Sequence, residues 1–529
     1  MKINYLNKDD IHPQLKPYNP LVQKIIGPLL DETSDLSEII NTPHQVCQDV
    51  VLRQAIRFIL DIKENQYKTM IVGDYDCDGI CSTALLVRLF HKLGIEPGYY
   101  IPNRIEEGYG LSEDLVNQAH QKDYQVLITV DNGVAAHEAL AKAKSYGMKI
   151  MIIDHHQIAG EVICDVLYHC ELLSSWFQNQ CASGLVATLM DAMELMDEYD
   201  VSLAAIGTVG DIMLLTQHNR FLVQEGIKKL NQHRFKTIDK LSERKITKYD
   251  ETVLSFNIVP VLNAIGRLNH PSVKIYQMVT YLIDPWRAGL ETAASQIRNI
   301  NKQRKRLTKN HIQLANQQIK ASAPVQVIFN SEFHEGIIGI VSGSIANKLQ
   351  VPVLVGTNNG DLYKFSVRSP YLDIYAILSK YATSHFENFG GHALACAFAI
   401  RETKFESFKT ALELEFEHLE IEEPTMDVIA LSKSDLKYSY FETLERFAPF
   451  GQGFYKYPIM IDLDLGTSNP INTIGRKWQV NEAHDLSEVV TFSSLKDKLI
   501  ENQNVLVVGQ LQKGYYRNRL SLLAEKFIL

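Results

Sequence analysis

The sequence predicts an α/β protein: a parallel-sheet domain, a long helix, a smaller α/β domain and a C-terminal β-barrel. Three observations lead to this prediction. Apolar runs alternate with helix-like stretches in the first half, a long polar segment occupies the middle, and short alternating runs follow Pro424. The chain has 529 residues, which is enough for three or four domains of about 100–200 residues each.

Three short runs in the first half are rich in valine and isoleucine and end in acidic residues or histidine: "TMIVGDYD", "QVLITVDNG" and "KIMIIDHH". Helix-like stretches separate them, such as "ICSTALLVRLFHKLG" and "AAHEALAKAKSYG". This alternation predicts a parallel sheet with helices on its faces. A fourth run, "LAAIGTVGDI", also reaches an aspartate, but its pattern fits a helix as well as a strand.

Ligands of parallel sheets bind beyond the carboxyl ends of the strands. We therefore expect one shared site from the polar residues that follow these runs: Asp74, Asp76, Asp78, Asp131, His155, His156 and Asp211. Carboxylates in one site raise each other's pKa unless cations neutralise them. Carboxylate and imidazole ligands suit Mn²⁺ or Mg²⁺, and two such ions about 3.5–4 Å apart clamp a reacting phosphorus centre. A single strand-end aspartate is more often a helix N-cap, but the recurrence favours a metal site.

The middle segment, residues 285–320, predicts a long helix that would span roughly 50 Å and connect two domains. It overlaps a stretch without Asp or Glu, from 292 to 331, whose basic residues are Arg298, Lys302, Arg304, Lys305, Arg306, Lys309 and Lys320. Two interpretations stay open: a solvated helix face, or a phosphate-binding patch.

A second α/β unit follows the long helix, with "PVQVIFN" and "VPVLVGT" as strands and "GIIGIVSGSIANKLQ" as a helix between them. After Pro424 the short alternating runs predict a small β-barrel, for which an OB-fold is one candidate.

Composition excludes several classes of protein. No apolar run approaches the roughly 18 residues of a membrane helix, and the N-terminus lacks the apolar region of a secretory signal. The seven cysteines form no CxxC pair, which favours reduced thiols and a cytoplasmic location. The net charge of −9 argues against a simple nucleic-acid coat protein. We expect no membrane association and a monomer.

The motifs "DYDCDG", "TVDNG", "DHH" and "GDIMLL" resemble the four motifs of the DHH phosphoesterase superfamily. Further segments are similar to the single-stranded-DNA-specific 5′→3′ exonucleases of that superfamily: "IPNRIEEGYGL", "NAIGRLN", "FHEGIIGIVSGSIANKL", "SVRSP", "FGGHALACAF" and "FAPFGQGFYKYP". The similarity runs from about residue 50 to the C-terminus. It implies hydrolysis of single-stranded DNA to mononucleotides in DNA repair and recombination.

The resemblance also implies roles for particular residues. It assigns two divalent cations, Mn²⁺ ahead of Mg²⁺, to Asp76, Asp78, Asp131, His155 and Asp211. Asp74 and His156 are then supporting or substrate-facing groups of the catalytic site. The second α/β unit is similar to the DHHA1 domain, whose "GGH" motif holds substrate phosphates. The residues implied to bind substrate are Arg104, Arg267, His334, Ser366, Arg368, Gly390, Gly391 and His392.

With this resemblance the predicted domains are an N-terminal extension (1–48), a DHH domain (49–225), a helical region with the long helix (226–320), a DHHA1 domain (321–425) and an OB-like domain (426–529). The barrel would guide single-stranded DNA, and two interpretations of "GYYRNRL" are equal: a strand-binding loop or a hairpin edge. The candidates there are Tyr515, Tyr516, Arg517 and Arg519. Helicase and single-strand-binding protein are the implied partners, although family members often bind partners through a further domain after the barrel, which we expect to be missing here.

Two departures from the family pattern stand out. Asp211 follows Gly210 where the family usually has alanine, and "DVLYHCE" stands where the family has Asn-Pro after the DHH motif. Two other functions stay open. One is a DHH phosphodiesterase of short oligonucleotides, cyclic dinucleotides or nucleotide monophosphates, which would share only the first two domains. The other is a non-enzymatic DNA-binding scaffold, which the filled ligand positions disfavour.

Overall fold

The computed structural model describes residues 2–8, 10–108, 110–158, 160–270, 273–286, 289–419, 425–471, 475–481, 483–492, 503–514 and 516–528. Its strands are β1 (Lys2–Tyr5), β2 (Thr69–Val72), β3 (Gly98–Tyr100), β4 (Val126–Val130), β5 (Lys149–Asp154), β6 (Val166–His169), β7 (Gln326–Phe329), β8 (Val353–Asn359), β9 (Leu362–Arg368), β10 (Phe386–His392), β11 (Ala395–Arg401), β12 (Thr425–Ala430), β13 (Ile459–Ile471), β14 (Gly475–Asn481), β15 (Leu486–Thr491), β16 (Gln503–Lys513) and β17 (Leu520–Ile528).

The α-helices are α1 (Pro20–Ile26), α2 (Leu36–Ile40), α3 (Val50–Asn65), α4 (Cys77–Lys92), α5 (Glu113–Gln121), α6 (His137–Ser145), α7 (Ala182–Ala192), α8 (Glu198–Gly210), α9 (Gln217–His233), α10 (Lys236–Asp239), α11 (Glu251–Val253), α12 (Val259–Leu268), α13 (Tyr276–Leu282), α14 (Leu290–Asn316), α15 (Ile338–Leu349), α16 (Ile374–Ser379), α17 (Glu402–His418) and α18 (Tyr438–Leu444). A π-helical turn, Leu254–Ile258, joins α11 to α12.

The chain forms two compact units. The larger comprises Gln45–Met213 and Glu225–Glu422. Its first sheet is entirely parallel, in the order β3-β2-β4-β5-β6. The central strands β2 and β4 are buried along their whole length, as expected for strands covered by helices on both faces. The predicted parallel sheet is confirmed, and the ambiguous fourth run is helical, forming α8.

The second sheet of this unit has the order β10-β11-β9-β8-β7. Only β7 and β8 pair in parallel, and the other pairs are antiparallel. Its core is rich in phenylalanine; Phe365 stacks on Phe398 with ring centroids 4.9 Å apart. The helix before this sheet, α14, has 27 residues. It is shorter than the predicted 285–320 because Gly289, with a φ of 74°, ends the preceding loop just before it.

The smaller unit comprises Met1–His44, Leu214–Gln224 and Glu423–Leu529. Strands β13 to β17 close into a five-stranded barrel in the order β13-β14-β15-β17-β16, because β16 also pairs with β13. This confirms the predicted OB-like barrel. The N-terminal residues share its core: β1 pairs with β12, and Leu15, Leu21 and Ile25 lie in one cluster with Trp478. The domain boundaries given above stay a prediction. That prediction treats residues 1–48 as a separate extension, whereas Met1–His44 fall in the same compact unit as the barrel.

Two further observations bear on the composition. All seven cysteines are described, and none of them forms a disulfide. Among the described residues, no helix is long and apolar enough to cross a membrane.

Arg220 is a buried cation that holds three segments of the smaller unit together. Its guanidinium donates to the carbonyl oxygens of Ile39 (2.8 Å), Pro449 (2.9 Å) and Phe447 (2.5 Å). The same group lies 4.5 Å from the ring centroid of Phe454. One side chain thus satisfies backbone acceptors from the N-terminal segment and from the segment that precedes β13.

We expect Arg220→Ala to lower the free energy of unfolding of this unit by roughly 3–5 kcal/mol, since each buried carbonyl left without a donor costs about 1–3 kcal/mol. Urea denaturation, monitored by hydrogen exchange of the amides of β13–β17, measures the change in the free energy of unfolding. Arg306→Ala, which removes an exposed cation of α14, is the matched control. A loss below about 1 kcal/mol for Arg220→Ala would contradict this role.

Candidate metal centre

The chain turns sharply between β2 and α4 and places three aspartates there. Asp76 is the N-cap of α4, and its Oδ1 accepts a hydrogen bond from Gly79 N at 3.0 Å. Gly79 lies against the backbone of Asp74: an added Cβ would stand 2.5 Å from Asp74 O. A side chain at position 79 would therefore push the aspartates apart. The N-cap interpretation therefore applies to Asp76, and its role as a metal ligand stays a prediction.

Asp78 lies in the first turn of α4 and is almost fully buried. Its oxygens accept hydrogen bonds from Ala182 N (2.8 Å) and Ser183 N (2.9 Å) at the start of α7. Gly207 of α8 packs on this pair, since an added Cβ would lie 2.7 Å from Asp78 Oδ1. This close packing brings the end of α8, and with it Asp211, to the same place.

Asp131 follows β4 directly, with a φ of 63° and a backbone N–H that donates to Ile153 O at 2.9 Å. The next residue ties two strand ends together: Asn132 Nδ2 donates to Val72 O at 3.1 Å and to Val130 O at 3.0 Å. Asp131 is therefore held at the junction of β2, β4 and β5.

Asp154 ends β5 and anchors both histidines that follow. It is fully buried, and its Oδ1 accepts from His155 N (2.7 Å), His156 N (3.2 Å) and His156 Nδ1 (2.7 Å). Its Oδ2 accepts from Val134 N at 3.1 Å. His169, in β6, contacts the His156 carbonyl at 2.9 Å. The segment that departs from the family's Asn-Pro is thus a strand that supports the histidine pair.

His155 links the remaining members of the site. Its Nε2 lies 3.2 Å from Asp131 Oδ1 and 3.5 Å from Asp211 Oδ2. The donor atoms form three overlapping groups, within each of which all lie within 4.8 Å of one another: Asp74, Asp76 and Asp131; Asp131, His155 and His156; and Asp78, His155 and Asp211. All seven residues predicted for the site therefore meet, including Asp74 and His156.

The carboxylates repel one another and are shielded from water. Burial and the neighbouring Asp76 raise the pKa of Asp74 well above its ordinary value. Burial, followed by Asp78 and Asp76, does the same for Asp131 and raises the pKa of Asp211 to about 8. Burial lowers the pKa of His156, but its hydrogen bond to Asp154 outweighs this and raises that pKa to about 9.

These residues fit divalent cations. Within the described ranges, no group donates a hydrogen bond to the buried Asp74 Oδ1. A buried carboxylate oxygen without a donor is costly unless a cation binds it. Carboxylate oxygens and imidazole nitrogens are the donors that Mn²⁺ accepts, and carboxylates suit Mg²⁺. Asp131 and His155 each belong to two donor groups, which suits two ions with shared ligands.

Helix α12 crosses the aspartate turn at close range. Asn263 Oδ1 accepts from Cys77 N at 2.7 Å, and an added Cβ at Gly266 would lie 2.6 Å from Tyr75 O. The Cys77 side chain points away from the donor groups into the core, where an added Cβ at Gly210 would stand 2.8 Å from its Sγ. Glycine in place of the family's alanine at position 210 thus leaves room for Cys77.

The three predicted substrate-binding arginines lie near one another and near this turn. The Arg104 guanidinium lies 5.1 Å from the ring centroid of Tyr75. Burial lowers the pKa of Arg267 to about 10, with added effects from Arg104, Arg304 and Arg368. Arg368 Nη1 donates to Ser366 Oγ at 3.1 Å. In the part of the chain that the structure describes, no carboxylate forms an ion pair with Arg104, Arg267 or Arg368.

The start of α15 faces the Ser366–Arg368 pair. An added Cβ at Gly339 would lie 3.0 Å from Ser366 Oγ and 3.3 Å from Arg368 Nη2. Helix N-termini favour anions, and so do arginines without carboxylate partners. The cluster of Arg104, Arg267, Ser366 and Arg368 is therefore suited to a phosphate group, and we name it the arginine cluster.

The remaining predicted residues lie in other settings. His334 is half-buried; its N–H donates to His311 Nε2 at 3.0 Å and its Nδ1 accepts from Gly336 N at 3.2 Å. Gly390, Gly391 and His392 lie on the edge strand β10. Only Gly391 is sterically required, since its φ is 139° and an added Cβ would lie 2.4 Å from Cys396 Cα.

The barrel loop between β16 and β17 carries exposed polar and aromatic residues. Tyr516 is 60% exposed, and Lys477 Nζ lies 5.8 Å from its ring centroid. Arg517 is exposed, whereas Arg519 Nη1 donates to His484 O at 3.0 Å. Tyr515 lies outside the described residues.

The sequence alone does not identify four residues that hold the site together: Asn132, Asp154, His169 and Asn263. The sequence places Asp154 at the end of its strand, but only its burial and its hydrogen bonds show that it anchors the two histidines. The other three depend on contacts across elements, which a single sequence does not specify.

Comparison with known proteins gives consistent matches. Residues 68–210 match the family model "DHH family, N-terminal domain", and residues 321–418 match "DHHA1 domain". The single-stranded-DNA-specific exonuclease RecJ of Haemophilus influenzae is 26% identical over 467 residues, which cover 80% of each chain. RecJ of Bacillus subtilis is 27% identical, over 90% of this chain and 61% of that protein.

Solved structures agree. RecJ from Thermus thermophilus in complex with Mn²⁺ has a TM-score of 0.82 at 20% identity, covering 97% of this chain and 76% of that one. A manganese-bound exonuclease RecJ has a TM-score of 0.61 at 26% identity, covering 72% of this chain and 97% of that one. Fold and site together define a DHH-type protein with a DHHA1 domain. Within that class, the chain is similar to RecJ proteins over most of its length.

The raised pKa values predict a pH-dependent response to metal. The folded pKa of Asp211 is about 8 against an ordinary 3.8, so the metal-free native state binds more protons than the unfolded chain. Its stability then falls as pH rises from about 4 to 8, and a cation restores it. We expect Mn²⁺ to raise the midpoint of thermal unfolding, relative to EDTA, by about 3 °C more at pH 8 than at pH 5.5.

The matched variant is Asp211→Asn, which removes the titrating carboxyl and should flatten the pH dependence measured in EDTA. Equal stabilisation by Mn²⁺ at both pH values would show that these carboxylates are not the cation's ligands.

Proposed function

We propose that this protein is a metal-dependent 5′→3′ exonuclease that hydrolyses single-stranded DNA to mononucleotides in DNA repair and recombination. The observation that carries the proposal is the position of the arginine cluster beside three overlapping metal-donor groups. A phosphodiester cleavage site and a binding site for a second phosphate are thus adjacent. The names of the relatives, single-stranded-DNA-specific exonucleases, support the substrate.

Asp74, Asp76 and Asp131 would hold one Mn²⁺ or Mg²⁺ ion, and Asp78, His155 and Asp211 the other. Asp131 would also reach the second ion, because its Oδ1 lies 3.2 Å from His155 Nε2. When bound, such ions lower the pKa of a water molecule and stabilise charge at phosphorus. The Asp78 oxygens already accept two backbone hydrogen bonds, so the start of α7 fixes the orientation of this ligand. The solved relatives in complex with Mn²⁺ and Mg²⁺ support both metals.

His156 has a separate role in the proposal. Its Nδ1 is held by Asp154 at 2.7 Å, which leaves Nε2 directed away from that anchor. With a pKa raised to about 9, the ring carries a proton on Nε2 at neutral pH. We assign it to donate a hydrogen bond to a non-bridging phosphate oxygen, or a proton to the leaving oxygen.

The arginine cluster would bind the 5′-terminal phosphate. Burial and neighbouring cations lower the pKa of Arg267 to about 10, and a phosphate dianion relieves that repulsion. The exposed Gly390, Gly391 and His392 would contact further phosphates. His334, enclosed by His311 and Gly336, would position the loop that leads into α15 rather than contact substrate.

The barrel would guide the strand. OB-type barrels bind oligonucleotides on the face of their second and third strands and on the loop between the fourth and fifth. Here these are β14, β15 and the loop that carries Tyr516 and Arg517. Aromatic and basic groups of this kind stack bases and attract phosphates. We further propose a cytoplasmic location, a monomer, and contacts with helicase and single-strand-binding protein.

A 5′-phosphorylated thirty-nucleotide strand, labelled at either end, tests the direction of cleavage. With Mn²⁺ we expect mononucleotides from the 5′ end and cleavage of duplex at least about tenfold slower. Asp131→Asn should abolish cleavage and retain DNA binding, since asparagine tolerates the positive φ that alanine does not. Asp61→Asn, at a surface ion pair with Lys149, is the control. Attack from the 3′ end would refute the proposal.

The second candidate, a phosphodiesterase of short oligonucleotides, is favoured by one observation: the donor groups and the arginine cluster both lie in the larger unit, without the barrel. Rates on two-nucleotide and thirty-nucleotide substrates separate the two functions. The exonuclease has the higher kcat/KM on the long strand, and the phosphodiesterase has it on the dinucleotide.

A further inference from the structure

Two apolar side chains beside the metal centre are exposed without a folding reason. Among the large hydrophobic side chains that the structure describes, Phe256 (74%) and Ile212 (72%) are the most exposed. Single exposed hydrophobics are common. These two differ from the others because each occupies an unusual backbone position: Ile212 follows Asp211 directly, and Phe256 lies in a turn that packs on α8.

Ile212 occupies a position that usually belongs to glycine. Helix α8 ends in a Schellman motif, in which Ile212 N donates to Val209 O at 3.3 Å and Met213 N donates to Thr208 O at 3.2 Å. The central residue of this motif is left-handed and is usually glycine or asparagine. Ile212 has a φ of 55°, which strains a β-branched residue. Because the side chain is 72% exposed, it gains little packing energy that could offset this strain.

Phe256 is presented by a rare element. It lies in the π-helical turn Leu254–Ile258, where Leu254 and Ile258 are buried. Such turns occur frequently at functional sites. The buried side chains of Leu254 and Ile258 anchor the turn, and the ring of Phe256 is exposed to solvent.

The two residues lie at the same end of the site. Gly210 packs on Val259, since an added Cβ would lie 3.5 Å from Val259 Cγ2. Ile212 is two residues after Gly210, and Phe256 is three residues before Val259, so both stand within about one helical turn of this contact. The same α12 continues to Asn263 and Arg267, which lie over the aspartate turn.

We propose that Phe256 and Ile212 form a stacking platform for a nucleobase of the strand whose phosphodiester is cleaved. The inference rests on the proposed function and adds a contact for the base, at the Asp211 side of the metal centre. An aromatic ring and a branched aliphatic side chain offer an apolar surface without hydrogen-bond readout. The platform therefore accepts any base.

Abasic sites placed at positions 1 to 4 of a 5′-phosphorylated strand test the platform. In the wild-type protein we expect KM to rise about 5–100-fold at one or two positions, the usual effect of losing one stacked base, with kcat nearly unchanged. Phe256→Ala should raise KM for the intact strand by a similar factor and abolish the effect of the abasic site. Phe256→Trp should retain the wild-type KM and the effect of the abasic site. Ile212→Gly should raise KM by a smaller factor than Phe256→Ala does.

The control is Leu414→Ala, which truncates an exposed side chain of α17 and should change neither parameter. A binding measurement in EDTA separates this inference from the proposed function. 2-Aminopurine at the sensitive position should be quenched by wild-type protein and not by Phe256→Ala. The platform would be overturned, even if cleavage is confirmed, if Phe256→Ala changes neither the dependence of KM on the position of the abasic site nor the quenching of 2-aminopurine. Quenching lost in Phe256→Ala would support it even if no strand is cleaved.

Discussion

The repulsion among buried carboxylates at one edge of the parallel sheet is the constraint on which this structure depends. Asp74, Asp78 and Asp131 are almost inaccessible to solvent, and burial, followed by repulsion from Asp78 and Asp76, raises the pKa of Asp211 to about 8. Such a cluster destabilises the fold unless cations balance it. The surrounding helices and strands hold these carboxylates together against that repulsion.

Those supports act at short range and use the backbone. The start of α7 donates two hydrogen bonds to Asp78, Asn132 joins the ends of β2 and β4, and Asp154 orients both histidines. Glycine at 79, 207 and 266 permits approaches that any Cβ would block. The positions of the donor atoms are therefore fixed by packed elements before any ion binds, which is the preorganisation that metal-assisted hydrolysis requires.

Much of this could be predicted from the sequence, because apolar runs that end in acids specify both parallel strands and a shared edge. The predicted strands β2, β4 and β5 are therefore confirmed, and the seven predicted side chains lie close together, whereas their roles stay a prediction. The short edge strands β3 and β6 lacked such a pattern. Pairing of β1 with β12 joins residues more than 400 positions apart, which local periodicity does not encode. The exposure of Ile212 and Phe256 depends on backbone geometry, and the positive φ of an isoleucine has no signature in composition.

The central claim is that two divalent cations share this edge through Asp131 and His155. Counting bound Mn²⁺ by electron paramagnetic resonance, on the full chain at pH 7.5, tests it directly. We expect two ions per chain for the wild-type protein and, for Asp131→Asn, at least about tenfold weaker binding of both, because Asp131 lies between the two sets of ligands. Two ions bound with unchanged affinity by Asp131→Asn, or a single ion bound by the wild-type protein, would contradict it.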